Sequence, residues 1–150
     1  MAIVGNLGTM NLAEVANYLD SIPEPARGVS RKTGISRGAA YIKFSKLAAP
    51  TVYAVVSTPG DRWFSLDTYG GFAYDYFEEG IPDTEAIQLL EKLVQAARAR
   101  VEGVGMMRAS RYLGVPVLEI ETDQGPVALH LPLLAAIKQL LRSAFLPSAR

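Results

Sequence analysis

The chain contains no cysteine, and this absence excludes several kinds of site at once. Disulfide bonds, thiolate metal ligands and cysteine nucleophiles cannot form without this residue. Small secreted domains often depend on disulfides, so their absence favours a cytoplasmic protein. The first eight residues also lack the basic start and the apolar run of a signal peptide, which leads to the same expectation.

Histidine is almost absent too, and no apolar stretch is long enough to suggest a membrane span. The single histidine, His130, cannot build a zinc site of two or three imidazoles. As a catalytic base it would need a cleft and a nearby nucleophile, and a strand-end residue with local contacts is the favoured alternative. The most apolar stretch, residues 127–141, is interrupted by Pro132 and Lys138. We therefore expect a protein that is not an enzyme, with no catalytic residue, no metal, no cofactor and no membrane partner.

The net charge is zero, but the two signs are separated along the chain. Residues 27–46 contain six basic residues and no acid, whereas residues 67–91 contain seven acids and no base. Such separation predicts charged faces, unless the two segments neutralise each other in the fold. The basic segment 27–37 could bind phosphates, but a pI of about 6.6 argues against a nucleic-acid partner.

Hydrophobic periodicity predicts three helices. The first covers residues 12–21, with Asn11 and Glu14 as a capping box and with Met10 and Val15 as a hydrophobic staple. The second covers residues 84–102, with Asp83 as its N-cap. Its apolar stripe consists of Ala86, Leu90, Leu93, Val94, Ala97 and Val101. The third begins at Pro132 and ends at Pro147.

Short β-rich runs separated by turn residues predict the strands. Four of them cover residues 39–47, 51–58, 62–68 and 72–77, and three more cover 105–112, 115–122 and 126–131. Residues 26–38, rich in Gly, Ser and Arg, have no period and are predicted to be a mobile loop. The resulting order, α-ββββ-α-βββ-α, predicts one α+β domain over residues 1–150, with an antiparallel sheet of six to seven strands packed against helices.

The segment 63–79 is the most unusual part of the sequence, because it combines seven of the chain's thirteen aromatic residues with four acids. Strand alternation places Trp63, Ser65 and Asp67 on one face of their strand, and it separates Tyr74 and Tyr76 from Asp75. Aromatic anchors beside charges are typical of protein interfaces. The predicted partner-binding residues are Trp63, Asp67, Tyr74, Asp75, Tyr76, Glu78 and Glu79. A sheet with an ordinary polar outside is the competing interpretation.

The carboxylates of residues 61–79 are compatible with two other chemistries. A pair of them could serve a glycosidase, and a cluster could hold Mg²⁺. Their spacing matches no known metal-binding loop, and most charges of this kind are solvated. The glycines of residues 5–8 are not followed by Lys-Ser or Lys-Thr, so no phosphate-binding loop is predicted.

In the order of its elements the chain resembles a family of bacterial polymorphic-toxin immunity proteins, the one whose known member antagonises the tuberculosis necrotizing toxin. A strand ends in Val-Val-Ser-Thr at 55–58 and leads to a turn with Asp61 and Arg62. An aromatic hairpin, a long helix, the hairpin 122–129 and a final helix follow. The likeness covers residues 39–146, contains no diagnostic motif and transfers no functional residue. It implies a small cytosolic antagonist that occludes a toxin's active site.

The same order of elements also resembles type III secretion chaperones, which are small dimers that bind unfolded effector segments. The expected function is thus a bacterial antitoxin-like inhibitor that binds a cognate toxin. A chaperone-like protein that binds a secreted effector is the alternative. Either the acidic segment 67–85 or the basic segment 27–37 could form the interface.

Overall fold

The structure is a computed structural model that describes residues 10–110 and 114–131. Within them lie two helices and eight strands. The helices are α1 (Leu12–Asp20) and α2 (Asp83–Val101). The strands are β1 (Val29–Ser36), β2 (Ala39–Lys46), β3 (Tyr53–Thr58), β4 (Trp63–Thr68), β5 (Ala73–Phe77), β6 (Met106–Ala109), β7 (Pro116–Thr122) and β8 (Gly125–His130). A 3₁₀ turn, Tyr69–Gly71, connects β4 to β5.

All eight strands form one antiparallel sheet in the order β1-β2-β3-β4-β5-β8-β7-β6. The first five strands form one antiparallel meander. The last three form a second meander, in which β8 lies beside β5 and β6 lies at the edge of the sheet. Among residues 10–110 and 114–131 the two parts meet at a single pair, Ala73 and His130. The α+β prediction is confirmed, with eight strands instead of six or seven.

Helix α1 begins where its capping residues predict. The Glu14 backbone N–H donates to Asn11 Oδ1 at 2.9 Å, and the Asn11 N–H donates to Glu14 Oε2 at 3.0 Å. Both bonds use backbone donors that a helix start leaves without partners. Met10 and Val15 are buried in the core, as the staple requires. The predicted start of the helix is therefore confirmed.

Helix α2 fills the centre of the core. All six residues of its predicted apolar stripe are buried, and Ala96 is buried with them. The helix packs against β2, β3, β4, β7 and β8, so it spans both meanders, while α1 packs against β1 and β2. The predicted cap is wrong, because Pro82 is the N-cap and Asp83 is the first helical residue. At the other end Gly103, with φ 83°, follows the C-cap residue in the left-handed conformation that commonly ends a helix.

Both helices lie on the same face of the sheet, and the core lies between them and that face. Fully buried residues from neighbouring strands alternate with residues that point away from the helices. On β2, Ile42 and Phe44 face the helices, whereas Tyr41 and Lys43 lie on the opposite side, which we name the outer face. No helix of residues 10–110 and 114–131 is both long and apolar enough to cross a membrane.

The predicted mobile loop at residues 26–38 is wrong, because most of it is strand β1. All eight residues of β1 pair with β2, from Val29 opposite Lys46 to Ser36 opposite Ala39. Arg31 occupies a helix-facing position, opposite the buried Phe44. Its stem is covered and its guanidinium donates to the Asp20 carbonyl oxygen at 2.6 Å, at the end of α1. Arginine thus occupies a core-facing position that usually carries an apolar residue. For this reason β1 lacks the alternation of apolar and polar residues from which a strand is predicted.

Two further predictions differ from the structure or lie outside it. The strand predicted at 105–112 is the shorter β6, which ends at Ala109. The helix predicted from Pro132 lies outside the described residues. The turn predicted between β3 and β4 is confirmed, and Gly60 has φ 114° there. A Cβ atom at Gly60 would lie 2.5 Å from the Met10 carbonyl oxygen, so only glycine lets this turn pack against the start of α1.

Candidate protein-binding surface

Strands β4 and β5 place two aromatic and two acidic side chains together on the outer face. Trp63 lies opposite Phe77, and Ser65 lies opposite Asp75 in the register of the two strands. Asp67 is two residues beyond Ser65, so it is the diagonal neighbour of Asp75. We call Trp63, Asp67, Asp75 and Phe77 the acidic-aromatic surface. All four residues are exposed, Trp63 by 38% and Phe77 by 65%.

The structure separates the sequence-predicted partner-binding residues between the two faces of the sheet. Trp63, Asp67 and Asp75 lie on the outer face, but Tyr74 and Tyr76 point to the helix side and pack against the core. Burial accordingly raises the pKa of Tyr74. The seven residues therefore do not form one continuous surface.

The two glutamates that follow β5 are exposed. Glu78 accepts a hydrogen bond from the Tyr76 hydroxyl, and its backbone N–H donates to the Arg62 carbonyl oxygen at 3.0 Å. Tyr76 and Glu78 thus bind each other at the end of the strand. This hydrogen bond raises the pKa of Tyr76, because the carboxylate favours the protonated phenol.

Phe77 is the residue of this surface that the sequence-based selection missed. Strand alternation already placed it with Asp75, but a phenylalanine in a strand is more often a core residue. Phe77 is exposed because the register pairs it with Trp63, so both side chains lie on the outer face, away from the helices. Trp63 and Phe77 thus place two exposed aromatic rings side by side on adjacent strands of the outer face.

Hydroxyl groups anchor the acidic part of this surface. Ser57 Oγ and Ser65 Oγ lie 3.0 Å apart across β3 and β4, and Ser65 Oγ donates to Asp67 Oδ2 at 3.4 Å. Burial and the nearby Asp75 carboxylate raise the pKa of Asp67, and the Ser65 hydrogen bond partly opposes them. The two carboxylates thus repel each other, and this repulsion disfavours the ionised form of Asp67.

Arg100 holds the connection between β4 and β5 in place from the end of α2. Its guanidinium carbon lies 3.7 Å from the centre of the Tyr69 ring. The same group donates to the Tyr69 hydroxyl and to the Tyr69 carbonyl oxygen, both at 3.0 Å. A planar, charged side chain stacked and hydrogen-bonded in this way stiffens the connection, and with it the edge of the acidic-aromatic surface.

The basic residues of the first hairpin occupy the other end of the outer face. Lys32 on β1 lies opposite Lys43 on β2, and both point away from the helices. The Lys43 amino group lies 5.2 Å from the centre of the Tyr53 ring. The outer face is therefore basic at β1 and β2 and acidic at β4 and β5, so the separation of charge in the sequence persists in the fold.

His130 lies at the junction of the two meanders, beside a shallow cleft of about 400 Å³. Ala73, Tyr74 and Asp75 line this cleft from β5, and Ala128, His130 and Leu131 line it from the other side. His130 is exposed, and its imidazole makes no hydrogen bond with another residue that the structure describes. No group of three or more potential metal ligands occurs among the residues that the structure describes.

Comparison with known protein families, with curated proteins and with solved structures finds no match for this chain.

Proposed function

We propose that this protein is a protein-binding antagonist that uses its acidic-aromatic surface to occupy the basic active site of a bacterial toxin. The observation that carries the proposal is the grouping of Trp63 and Phe77 with Asp67 and Asp75 on one exposed face. Exposed aromatic rings supply apolar contact area at low entropic cost, and two adjacent carboxylates supply a directed field.

Charge complementarity favours a basic partner. Toxins that cleave nucleic acids or nucleotides bind phosphates, so their active sites tend to be basic. Carboxylates placed on a rigid sheet can fill such a site in place of phosphate groups. The raised pKa of Asp67 supports this, because a cation from the partner would relieve the repulsion between Asp67 and Asp75.

The test begins with capture of the partner from the native host and its identification by mass spectrometry. Association and dissociation rates are then measured by surface plasmon resonance. Reversing both carboxylates, Asp67→Lys with Asp75→Lys, should slow association at least about tenfold at low salt and weaken its salt dependence. Trp63→Ala should instead speed dissociation, by about 30-fold for a loss of about 2 kcal/mol.

The matched control is Glu102→Lys, an exposed charge reversal at the end of α2. It changes the net charge in the same direction but lies away from the outer face, and it should leave both rates nearly unchanged. If Lys32→Gln and Arg37→Gln abolish binding while the acidic changes have no effect, the basic end of the outer face is the interface. The proposed toxin-facing surface would then be wrong.

A second candidate function is chaperone-like binding of an extended effector segment. The edge of the sheet formed by β6 favours it. Within the described residues β6 pairs only with β7, so one side of its backbone has no strand partner. Met106 and Met107 on this strand are 73% and 54% exposed. An extended peptide could add to such an edge as a further strand. Met106→Lys with Met107→Lys should abolish binding in this case and leave the antagonist function intact.

A further inference from the structure

The outer face contains a concave pocket at the end of the first hairpin, apart from the two carboxylates. Its volume is about 340 Å³, which is within the range of small-molecule sites. Tyr41, Val55 and Trp63 supply most of its apolar wall, and Ser36, Ser57 and Arg37 supply its polar groups. None of the described residues that line it is acidic.

The Tyr41 ring at this pocket occupies the space that the glycine opposite it leaves free. Gly34 on β1 pairs with Tyr41, and a Cβ atom at Gly34 would lie 2.9 Å from the Tyr41 hydroxyl oxygen. The ring therefore lies over the space that a side chain at Gly34 would fill. This arrangement gives the pocket one fixed aromatic wall, and Trp63 forms another on the far side of β3.

Arg37 reaches the pocket from an unfavourable backbone conformation. It is the first of two turn residues between β1 and β2, and its φ of 52° is the only positive φ at a non-glycine residue in the described chain. Such a two-residue turn requires positive φ at both positions, for which Asn-Gly is preferred. An arginine there is strained, is exposed and forms no salt bridge with a described residue. Strain of this kind is found at functional sites, where it holds a group in place.

We infer that this pocket binds a small, flat, apolar molecule that carries one anionic group, such as an aryl carboxylate or an aryl sulfonate. The apolar body lies between Tyr41 and Trp63 over Val55, and the anion pairs with the Arg37 guanidinium. Asp67 is the register neighbour of Val55, on the side of the pocket away from Arg37. Its negative charge orients the anion toward Arg37 and disfavours a second anionic group. This pocket shares Trp63 with the acidic-aromatic surface, but the inference does not depend on the proposed toxin-binding function, because Arg37 and Tyr41 lie outside that surface.

Trp63 makes the inference directly measurable, because it is the only tryptophan of the chain. The probe is 8-anilinonaphthalene-1-sulfonate, which is titrated against the intact protein while Trp63 fluorescence is followed. We expect saturable quenching with one probe per chain. The uncharged analogue N-phenyl-1-naphthylamine, which has the same rings, should bind at least about tenfold more weakly, since it lacks the anion.

Arg37→Asn separates binding from folding. Asparagine suits the turn better than arginine, so the variant should melt at a higher temperature, yet it should bind the sulfonate at least about tenfold more weakly. Lys46→Gln, which also removes one positive charge but does not line the pocket, should bind like the original protein. Val55→Glu, which places a carboxylate in the wall, should abolish binding without altering the turn. Equal affinity for the charged and uncharged probes, or unchanged affinity in Arg37→Asn or Val55→Glu, would overturn the inference.

Discussion

Asp67 lies where its ionised form is disfavoured in the folded chain. Burial and the Asp75 carboxylate raise its pKa above that of the unfolded chain. A raised carboxyl pKa means that the folded state holds its proton more tightly, so ionisation of Asp67 opposes folding at neutral pH. This destabilising effect is lost as the pH falls through the pKa of Asp67 in the folded protein toward its pKa in the unfolded chain.

Asp67→Asn should therefore stabilise the protein at pH 7 and have little effect near pH 3. We expect a gain below about 1 kcal/mol, because Asp67 is exposed and solvent screens its charge. Urea unfolding at a series of pH values measures this difference. Asp123→Asn, at the exposed turn between β7 and β8, is the control and should change stability at pH 7 by less than about 0.5 kcal/mol. A destabilised Asp67→Asn protein at pH 7 would mean that the Ser65 hydrogen bond outweighs burial and repulsion.

Arg100 provides a second test at a single side chain. Lysine keeps its charge but cannot stack on Tyr69 and donate to two Tyr69 oxygens at once. Arg100→Lys should lower the free energy of unfolding by about 1–3 kcal/mol in urea denaturation. Arg108→Lys is the matched control, since Arg108 forms an exposed ion pair with Glu119 at 2.9 Å and stacks on no aromatic ring of the described residues. It should change stability by less than about 0.5 kcal/mol, and equal losses in both variants would show that the stacking adds nothing.

Helix α2 stabilises the fold through the stripe that it buries against both parts of the sheet. Leu90 and Leu93 are fully buried, and truncation of either to alanine should cost about 2–5 kcal/mol in chemical denaturation. Gln88→Ala, an exposed position of the same helix, should change stability by less than about 0.5 kcal/mol. Equal small losses at all three positions would contradict this orientation of the helix.

Another residue of α2 shows what the periodicity could not reveal. Gln95 lies outside the predicted apolar stripe, yet its Oε1 accepts a hydrogen bond from the Asp123 backbone N–H at 2.9 Å. Gln124 Nε2 also donates to Glu91 Oε2 at 3.3 Å. These contacts join α2 to the turn between β7 and β8. They depend on where the second meander enters the sheet, which local sequence does not determine.

The molecule as a whole is expected to unfold in one step. The two meanders share one sheet, but only one residue pair of the described chain joins them directly, so α2 supplies most of the connection between them. The apolar stripe of α2 is buried against strands of both meanders, so neither meander alone can cover it. We therefore expect thermal transitions in far-UV and near-UV circular dichroism to coincide. Two separate transitions would show that the meanders unfold independently. Reductant should not move the midpoint, since the chain has no cysteine.

Local sequence was sufficient to predict the elements that are stabilised by local contacts or whose apolar residues are regularly spaced. The capping box of α1 needs only Asn11 and Glu14, three residues apart. The stripe of α2 follows from a spacing of three and four residues, because each such residue falls on one side of a helix. Strong β-formers between turn residues likewise predicted β2 to β5, and with them an antiparallel α+β fold.

Tertiary contacts decided the rest. Strand β1 has no alternating apolar residues, and it is a strand because β2 pairs with it and because the end of α1 binds Arg31. The alternation of β5 separates Asp75 from Tyr74 and Tyr76, but it does not say which side the helices cover. In the folded sheet Tyr74 and Tyr76 pack against the core, and Phe77 is exposed beside Trp63. A period of two distinguishes the faces of a strand, whereas burial of one of them depends on elements that are distant in sequence.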